Sequence, residues 1–378
     1  MRNTYDVIVV GGGIIGSSVA FQQAKIGKSV LIIEKNEFGM EASQAAAGML
    51  GAQAEIDKND ALLKLALKSR ALFPRLVMEL EELTGIQAGL VNKGMLKIAQ
   101  CPDEVHELKK QVQYHAEWDP EVRWLDMNEL LQQEPALSSH LAGAMFIPND
   151  GQVMAPQLSQ AFYQGALTQG ADSIANCEVE EILSTGTHIR GVQTSQNNYF
   201  ADTVVIASGA WAGKLLYRSG ICMDIIPVKG ECFSVIPDEP IIKSTIFSPR
   251  GCYAVPKKDG RIIVGATTYP GRVDKSVSLN GISHLSEKVL AFLPELKEAT
   301  WEKAWAGIRP QTRDGLPYIG AHPEYQGLFI AAGHYRNGIL LSPITGQIVS
   351  DMIENKLTEE ERILYETFKI ERQTMTAD

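Results

Sequence analysis

Two kinds of apolar pattern divide the chain. Short runs that are apolar throughout or after one leading polar residue occur at 6–10 (DVIVV), 29–33 (SVLII), 203–207 (TVVIA) and 328–332 (LFIAA). Runs this short and this uniformly apolar predict strands buried on both faces, as in parallel sheets. Longer stretches repeat apolar residues every three or four positions and predict helices. The clearest, 60–85, carries Leu62, Leu63, Leu65, Ala66, Leu72, Leu76, Leu80 and Leu83, with Gly85 as C-cap. Pro74 inside it predicts either a kink or two abutting helices. Helices are also expected over 103–113, 156–168, 277–293 and from 339 to about 355. Segments at 94–99, 142–147, 175–183, 187–193, 199–207, 225–235, 252–257 and 261–266 read as strands. The last two flank Lys258-Asp259-Gly260, a hairpin turn.

The start of the chain combines these signals into one unit. Asp6-Val7-Ile8-Val9-Val10 runs into Gly11-Gly12-Gly13-Ile14-Ile15-Gly16, then a helix closed by Gly27, then a second strand ending at Glu34. Gly11 permits the tight turn, Gly13 lets a pyrophosphate approach the backbone, and Gly16 lets the helix pack on the strand. The phosphates would sit at the positive end of the helix. Glu34 can accept hydrogen bonds from a ribose and would repel a 2′-phosphate, so a dinucleotide other than NADP is expected. The motif does not separate FAD from NAD. Elements of this type lie at the start, middle and end of the chain, with antiparallel elements between them. The expected fold is mixed α/β: a Rossmann-like nucleotide domain (1–88, 148–222 and 306–378) interleaved with an antiparallel-sheet substrate domain (89–147 and 223–305).

Composition narrows the partners. Lys and Arg number 35 against 45 Asp and Glu, a net charge of −10, and no long basic run occurs, so nucleic acid is not expected. An anionic substrate would need a local arginine. The five cysteines are widely spaced without a CxxC, which reads as buried free thiols and no metal centre. No apolar run approaches about 18 residues and a strand begins by Tyr5, so a soluble cytoplasmic protein without membrane contact is expected.

Three further stretches join the first: Ala45-Ala46-Ala47-Gly48-Met49-Leu50-Gly51-Ala52-Gln53-Ala54-Glu55; VVIASGAWAG; and WAGIRPQTRDGLPYIG with AAGHYRNGILLSPITG. Together they resemble the FAD-dependent amino-acid oxidases of the D-amino-acid oxidase and sarcosine oxidase superfamily, and within it the bacterial glycine oxidases of thiazole biosynthesis. The resemblance implies a GR2-type FAD-binding domain and dissociable FAD, the last cysteine being Cys252 where sarcosine oxidases tether the ring further on. It implies FAD contacts from Gly11, Gly13, Ile14, Ile15, Gly16, Glu34 and Lys35, from Ser43, Ala46, Ala47, Gly48 and Met49, and from Val179, Ser208, Gly209 and Trp211. The late turn would add Gly333, His334, Arg336, Asn337, Gly338, Ile339 and Leu340.

The residues agree with that chemistry. Small side chains from Ala45 to Gly51 allow backbone to lie against a flat ring, and the helix after Gly338 points its positive end at the charge a reduced flavin carries. Hydride transfer from the substrate Cα to flavin N5 would give an imine that hydrolyses to glyoxylate and ammonia, with dioxygen becoming hydrogen peroxide. The substrate carboxylate is the handle. Arg309, set among apolar residues, is the first candidate to grip it, the alternative being a structural pair with Asp314. By the resemblance, Tyr253 adds a hydroxyl to the same carboxylate, Arg336 lies near it or the flavin, and Met49 lines the pocket. Gly251 and Thr268 depart from the histidine and methionine that some relatives carry, so the pocket wall, and with it the choice among glycine, sarcosine and small D-amino acids, is expected to differ. The resemblance also implies a homotetramer and hand-off of the imine to thiazole synthase. Readings that stay open are an amino-acid dehydrogenase passing electrons to quinone, a flavin-binding subunit of a larger complex, and an NAD-dependent dehydrogenase.

Overall fold

The computed structural model describes residues 2–57 and 61–372; residue 1, residues 58–60 and residues 373–378, including the expected helix start at Asp60, lie outside the described residues. The uniformly apolar runs form one sheet in the order Tyr318–Ala321, Leu328–Ala332, Thr203–Ile206, Val7–Val10, Val30–Ile33, Asp172–Ile174. All are parallel except Tyr318–Ala321, which returns antiparallel to its neighbour. Their lack of alternation has a direct cause. Val7, Val9, Val30, Ile32 and Val205 pack under helices, whereas Ile8, Val10, Leu31, Ile33 and Val204 face a second core on the other side. The helical layer contains Ile14–Lys25, Ala61–Thr84, Ala155–Thr168 and Gly338–Ile353. Pro74 sits inside Ala61–Thr84, which continues through it as a single helix. The opposite layer holds the three-stranded sheet Val179–Thr185, His188–Thr194, Asn198–Phe200.

The expected strand 199–207 is two strands in different sheets. Asn198–Phe200 belongs to the three-stranded sheet and Thr203–Ile206 to the parallel one, with the chain turning between them. Only the second has the unbroken apolar run.

The other large sheet has nine strands, drawn from 95–147 and 226–311. It is antiparallel apart from one parallel pairing, Thr245–Ser248 with Met95–Ala99. One face packs on the helices Met127–Gln133 and Leu279–Phe292. Phe247, Tyr253, Val255 and Ile263 cluster with Ala47 on the other. Its longest strand, Thr300–Gln311, pairs with Ile226–Ile236 through eleven residue pairs. The strand runs unbroken through 305/306, where the sequence suggested a domain boundary, because each paired residue extends the same ladder.

Candidate functional site

A deep cleft opens where the carboxyl ends of the parallel strands meet the inner face of the nine-stranded sheet, the usual place for a ligand in an open α/β sheet. The first turn is built as its glycines require. Gly11 adopts φ +109°, and a Cβ there would lie 2.6 Å from the Ala207 carbonyl oxygen. A Cβ on Gly16 would lie 1.9 Å from the Gly11 oxygen, so Gly16 serves helix packing and does not line the cleft. A Cβ on Gly13 would meet only Ser43 Oγ at 3.4 Å, so its free side faces the cleft and admits a ligand. Glu34 orders this turn, accepting from the N–H of Gly12 at 2.8 Å and of Asn36 at 2.9 Å. Ser43 Oγ accepts from the Ile14 N–H at 2.9 Å.

The expected FAD residues converge on this cleft. Gly11, Gly13, Ile14, Ile15, Glu34, Lys35, Ser43, Ala46, Ala47, Gly48, Met49, Val179, Ser208, Gly209, Trp211, Gly333, His334, Arg336, Gly338 and Ile339 all line it. Asn337 and Leu340 do not. Asn337 faces a separate hollow beside Glu55 and Tyr335, and Leu340 lies in the core, its carbonyl accepting from Ser69 Oγ at 2.6 Å. Two helices, Ile14–Lys25 and Gly338–Ile353, begin at the cleft with no cap from the side chain of their own N-cap residues, Gly13 and Asn337, leaving positive helix ends to face an anion. Ser208 Oγ is buried there with no hydrogen-bond partner among the described residues. Lys35 Nζ stands 5.1 Å over the Trp211 ring. Positive helix ends, an orphaned hydroxyl and an open Gly13 fit a flat dinucleotide such as FAD.

Arg309 reaches the cleft from the strand Thr300–Gln311. Its guanidinium lies over Gly230, where an added Cβ would stand 2.3 Å from Nη1, and Nη1 donates to the Thr267 carbonyl at 3.3 Å. Asp314, the acid that could have claimed it, pairs instead with Arg372 at 2.7 Å, and Arg309 makes no ion pair among the described residues. The guanidinium is therefore held in position with its charge uncommitted. Tyr253 is buried, its hydroxyl 3.5 Å from Cys232 Sγ. Burial pushes the phenol well above its usual range, opposed by the nearby Arg309 charge, so the hydroxyl is a neutral donor at physiological pH. Arg336 lines the cleft too, but its Nε donates to Glu55 at 2.7 Å, so part of its charge is already matched. His334 donates or accepts with Thr345 Oγ1 at 3.0 Å, and burial drives its pKa down to about 3, leaving it neutral. The turn that carries His334 is tied to the Arg309 strand, the Tyr335 N–H donating to the Pro310 carbonyl at 2.8 Å.

Two residues that shape the cleft were given no role from the sequence, Gly230 in its wall and Trp305 behind it. Gly230 interrupts a strand pattern, which marks close backbone approach, and here the approaching group is the Arg309 guanidinium. Trp305 donates from Nε1 to the Ala45 carbonyl at 3.0 Å. Of the cysteines, Cys177, Cys232 and Cys252 are buried, but Cys222 is exposed and Cys101 half-buried, so burial of all five does not hold. Among the described residues no group of three or more His, Cys, Asp or Glu is placed to hold a metal ion, and no helix is long and apolar enough to cross a membrane.

Comparison with known proteins bears directly on this cleft. Residues 6–352 match the family described as FAD dependent oxidoreductase (DAO). Glycine oxidase of Geobacillus kaustophilus is 47% identical over 360 residues, covering 95% of both chains. The crystal structure of glycine oxidase from the same organism superimposes with a TM-score of 0.94 at 46% identity, covering 98% of this chain and 99% of that one. The bifunctional protein ThiO/ThiG of Synechocystis is 33% identical across 93% of this chain, which spans 52% of that protein's length. With the dinucleotide turn, the small-residue wall and the late glycine turn around one cleft, the chain belongs to the FAD-dependent oxidoreductase family, alongside its glycine oxidases, and FAD is its cofactor.

Proposed function

We propose that this protein oxidises glycine, and with it sarcosine and small D-amino acids, to the imine, which hydrolyses to glyoxylate and ammonia while dioxygen is reduced to hydrogen peroxide. The observation that carries the reading is Arg309: a cleft guanidinium without an acidic partner among the described residues, beside a neutral tyrosine hydroxyl. Glycine has little to offer a protein beyond its carboxylate and its amine. A planar guanidinium can take the carboxylate at two points, and Tyr253 can add a third hydrogen bond. When bound, FAD supplies the two-electron acceptor that the Cα–H bond needs and passes the electrons to dioxygen. The chain's own contribution is orientation: Arg309 and Tyr253 fix the carboxylate, and Met49 and the Ala45–Gly48 wall bound the space for the amine and Cα. Arg336, matched to Glu55, is assigned to shaping the pocket and to secondary attraction of the anion. No protein base is assigned: burial makes the His334 imidazole a very weak base, and its Nε2 is engaged with Thr345 Oγ1.

The proposed domain organisation is interleaved, 1–88, 148–222 and 306–378 with 89–147 and 223–305, and Arg309 is delivered by the strand Thr300–Gln311 of the nine-stranded sheet. The fused ThiO/ThiG relative supports delivery of the imine to thiazole synthase; a cytoplasmic location and a homotetramer complete the proposal. The deciding experiment is an anaerobic absorbance spectrum before and after adding glycine. Bleaching of the flavin bands, with recovery and peroxide on admitting air, is expected. Bands that stay unbleached reject glycine, and bleaching with slow recovery in air makes the protein a dehydrogenase.

A further inference from the structure

The wall that faces the flavin side of the cleft is held by its own carbonyl oxygens. Trp305 Nε1 donates to Ala45 O at 3.0 Å, and the Val153 N–H donates to Gly48 O at 2.8 Å. Between them, Ala47 O accepts from the ammonium of Lys257. The same Nζ donates to Gln152 Oε1 at 2.6 Å and to Val153 O at 2.9 Å. Lys257 is only 8% exposed. It opens the turn Lys257-Lys258-Asp259-Gly260, from which a lysine could easily reach water. Instead it turns inward, and an ammonium's three donors meet three acceptors. Burying a charge without such partners is costly, so this arrangement is a built feature.

Few other charges reach the group. Lys257 makes no ion pair among the described residues, and Asp259, on its own hairpin, is the acid whose charge acts on it. Asp150, next to the strand Gly151–Gln152, is engaged elsewhere: its carboxylate accepts from the N–H groups of Ala52, Gln53 and Ala54 and pairs with Arg70.

We propose that Lys257 is a positioning residue for FAD, its ammonium locking the Ala45–Met49 wall against Gly151–Gln152 so that the wall takes its flavin-binding shape only with all three hydrogen bonds made. The strand Cys252–Pro256 carries Tyr253 as its second residue and Lys257 just past its end, so one strand sets both the carboxylate donor and the flavin wall. The inference rests on FAD as cofactor and not on glycine as substrate.

Burial brings the Lys257 pKa down to about 7. Below that pH the ammonium makes all three bonds. Above it the neutral amine has two N–H groups and turns a lone pair toward one of three oxygens, so the clamp loosens as pH rises. The test is FAD binding to apoprotein, followed by quenching of flavin fluorescence from pH 6 to 9. Wild type is expected to lose affinity about fivefold or more across this range. Lys257→Met, with folding verified by circular dichroism and thermal melting of the apoprotein, is expected to bind about tenfold weaker at pH 6 and to show no pH dependence. Lys257→Arg, charged throughout, is expected to be flat as well, on the tight side. A flat wild-type profile overturns the proposal, as does Lys257→Met with wild-type affinity and slope; should the Met variant fail to fold, the wild-type profile alone decides. Because no turnover is measured, failure of glycine as substrate leaves this result standing and separately readable.

Discussion

Replacing Arg309 with alanine tests the substrate reading where it is most exposed. The guanidinium is half-buried and held by one weak bond to Thr267 O at 3.3 Å, so its removal strips little from the fold. No acid is left behind unpaired, because Asp314 keeps Arg372. What is lost is the carboxylate contact. Two charge-assisted hydrogen bonds are worth about 1.5–3 kcal/mol each, and partial exposure of the site reduces the pair to about 2–4 kcal/mol. That corresponds to a loss of roughly 30- to 700-fold in kcat/KM for glycine. The assay is peroxide-coupled turnover with glycine and with an amine lacking a carboxylate, alongside the flavin spectrum. Arg309→Ala should lose activity on glycine alone, with the FAD spectrum intact. Arg309→Lys should fall between, since it keeps the charge and gives up the two-point geometry. A kcat/KM for glycine within threefold of wild type, or an equal loss on both amines, refutes the carboxylate role.

Gly230→Ala should act on the same contact from beneath. The new Cβ would overlap the guanidinium at 2.3–2.5 Å, and the flexible tip must move, so KM for glycine should rise about tenfold or more while apoprotein melting changes little; an unchanged KM would show that Arg309 need not sit there. His334 should make the fold acid-sensitive. Its folded pKa of about 3 lies below the unfolded 6.5, so the unfolded chain takes up a proton first and stability falls as pH drops through that window. Melting temperature against pH checks this, and His334→Gln should flatten the slope; a slope identical to wild type contradicts it. Acid precipitation should leave the yellow colour in the supernatant, as dissociable FAD requires, and colour retained by the pellet would mean a covalent bond.

The nucleotide half was legible because its constraints are local. Gly11, Gly13 and Gly16 act within one turn, and uniformly apolar runs such as 203–207 mark strands covered on both faces whatever else the chain does. Arg309 could also be found, since a guanidinium among apolar residues has few structural excuses. Less visible was anything settled by distant partners. Whether Arg309 was free depended on Arg372 claiming Asp314. The commitment of Arg336 depended on Glu55, 281 positions away. The burial of Lys257, at the end of the expected strand 252–257, has no local signal, because its three acceptors come from segments over 100 residues earlier. Gly230, inside the expected strand 225–235, gains its meaning only from the cross-strand register that sets it diagonal to Arg309. The split at 199–207 was hidden for a related reason: β propensity is the same for either sheet, and only the apolar run tells them apart.

The ribbon formed by Ile226–Ile236 and Thr300–Gln311 also limits how this pocket can change. Val228 faces Arg309, Lys229 faces Ile308 and Gly230 faces Gly307. Sliding the pairing by one residue would turn every side chain to the opposite face, putting Ile308 where Arg309 stands. The proposed anion anchor, Arg309, therefore has no intermediate settings along the ribbon: it is a fixed origin from which the rest of the pocket is measured. A family that keeps this ribbon can lengthen or widen its substrates only by moving the opposite walls, and Gly251 and Thr268, which line the cleft from other segments, are the adjustable stops. Reshaping the enzyme for a larger amine is then a matter of carving outward from a point that stays still.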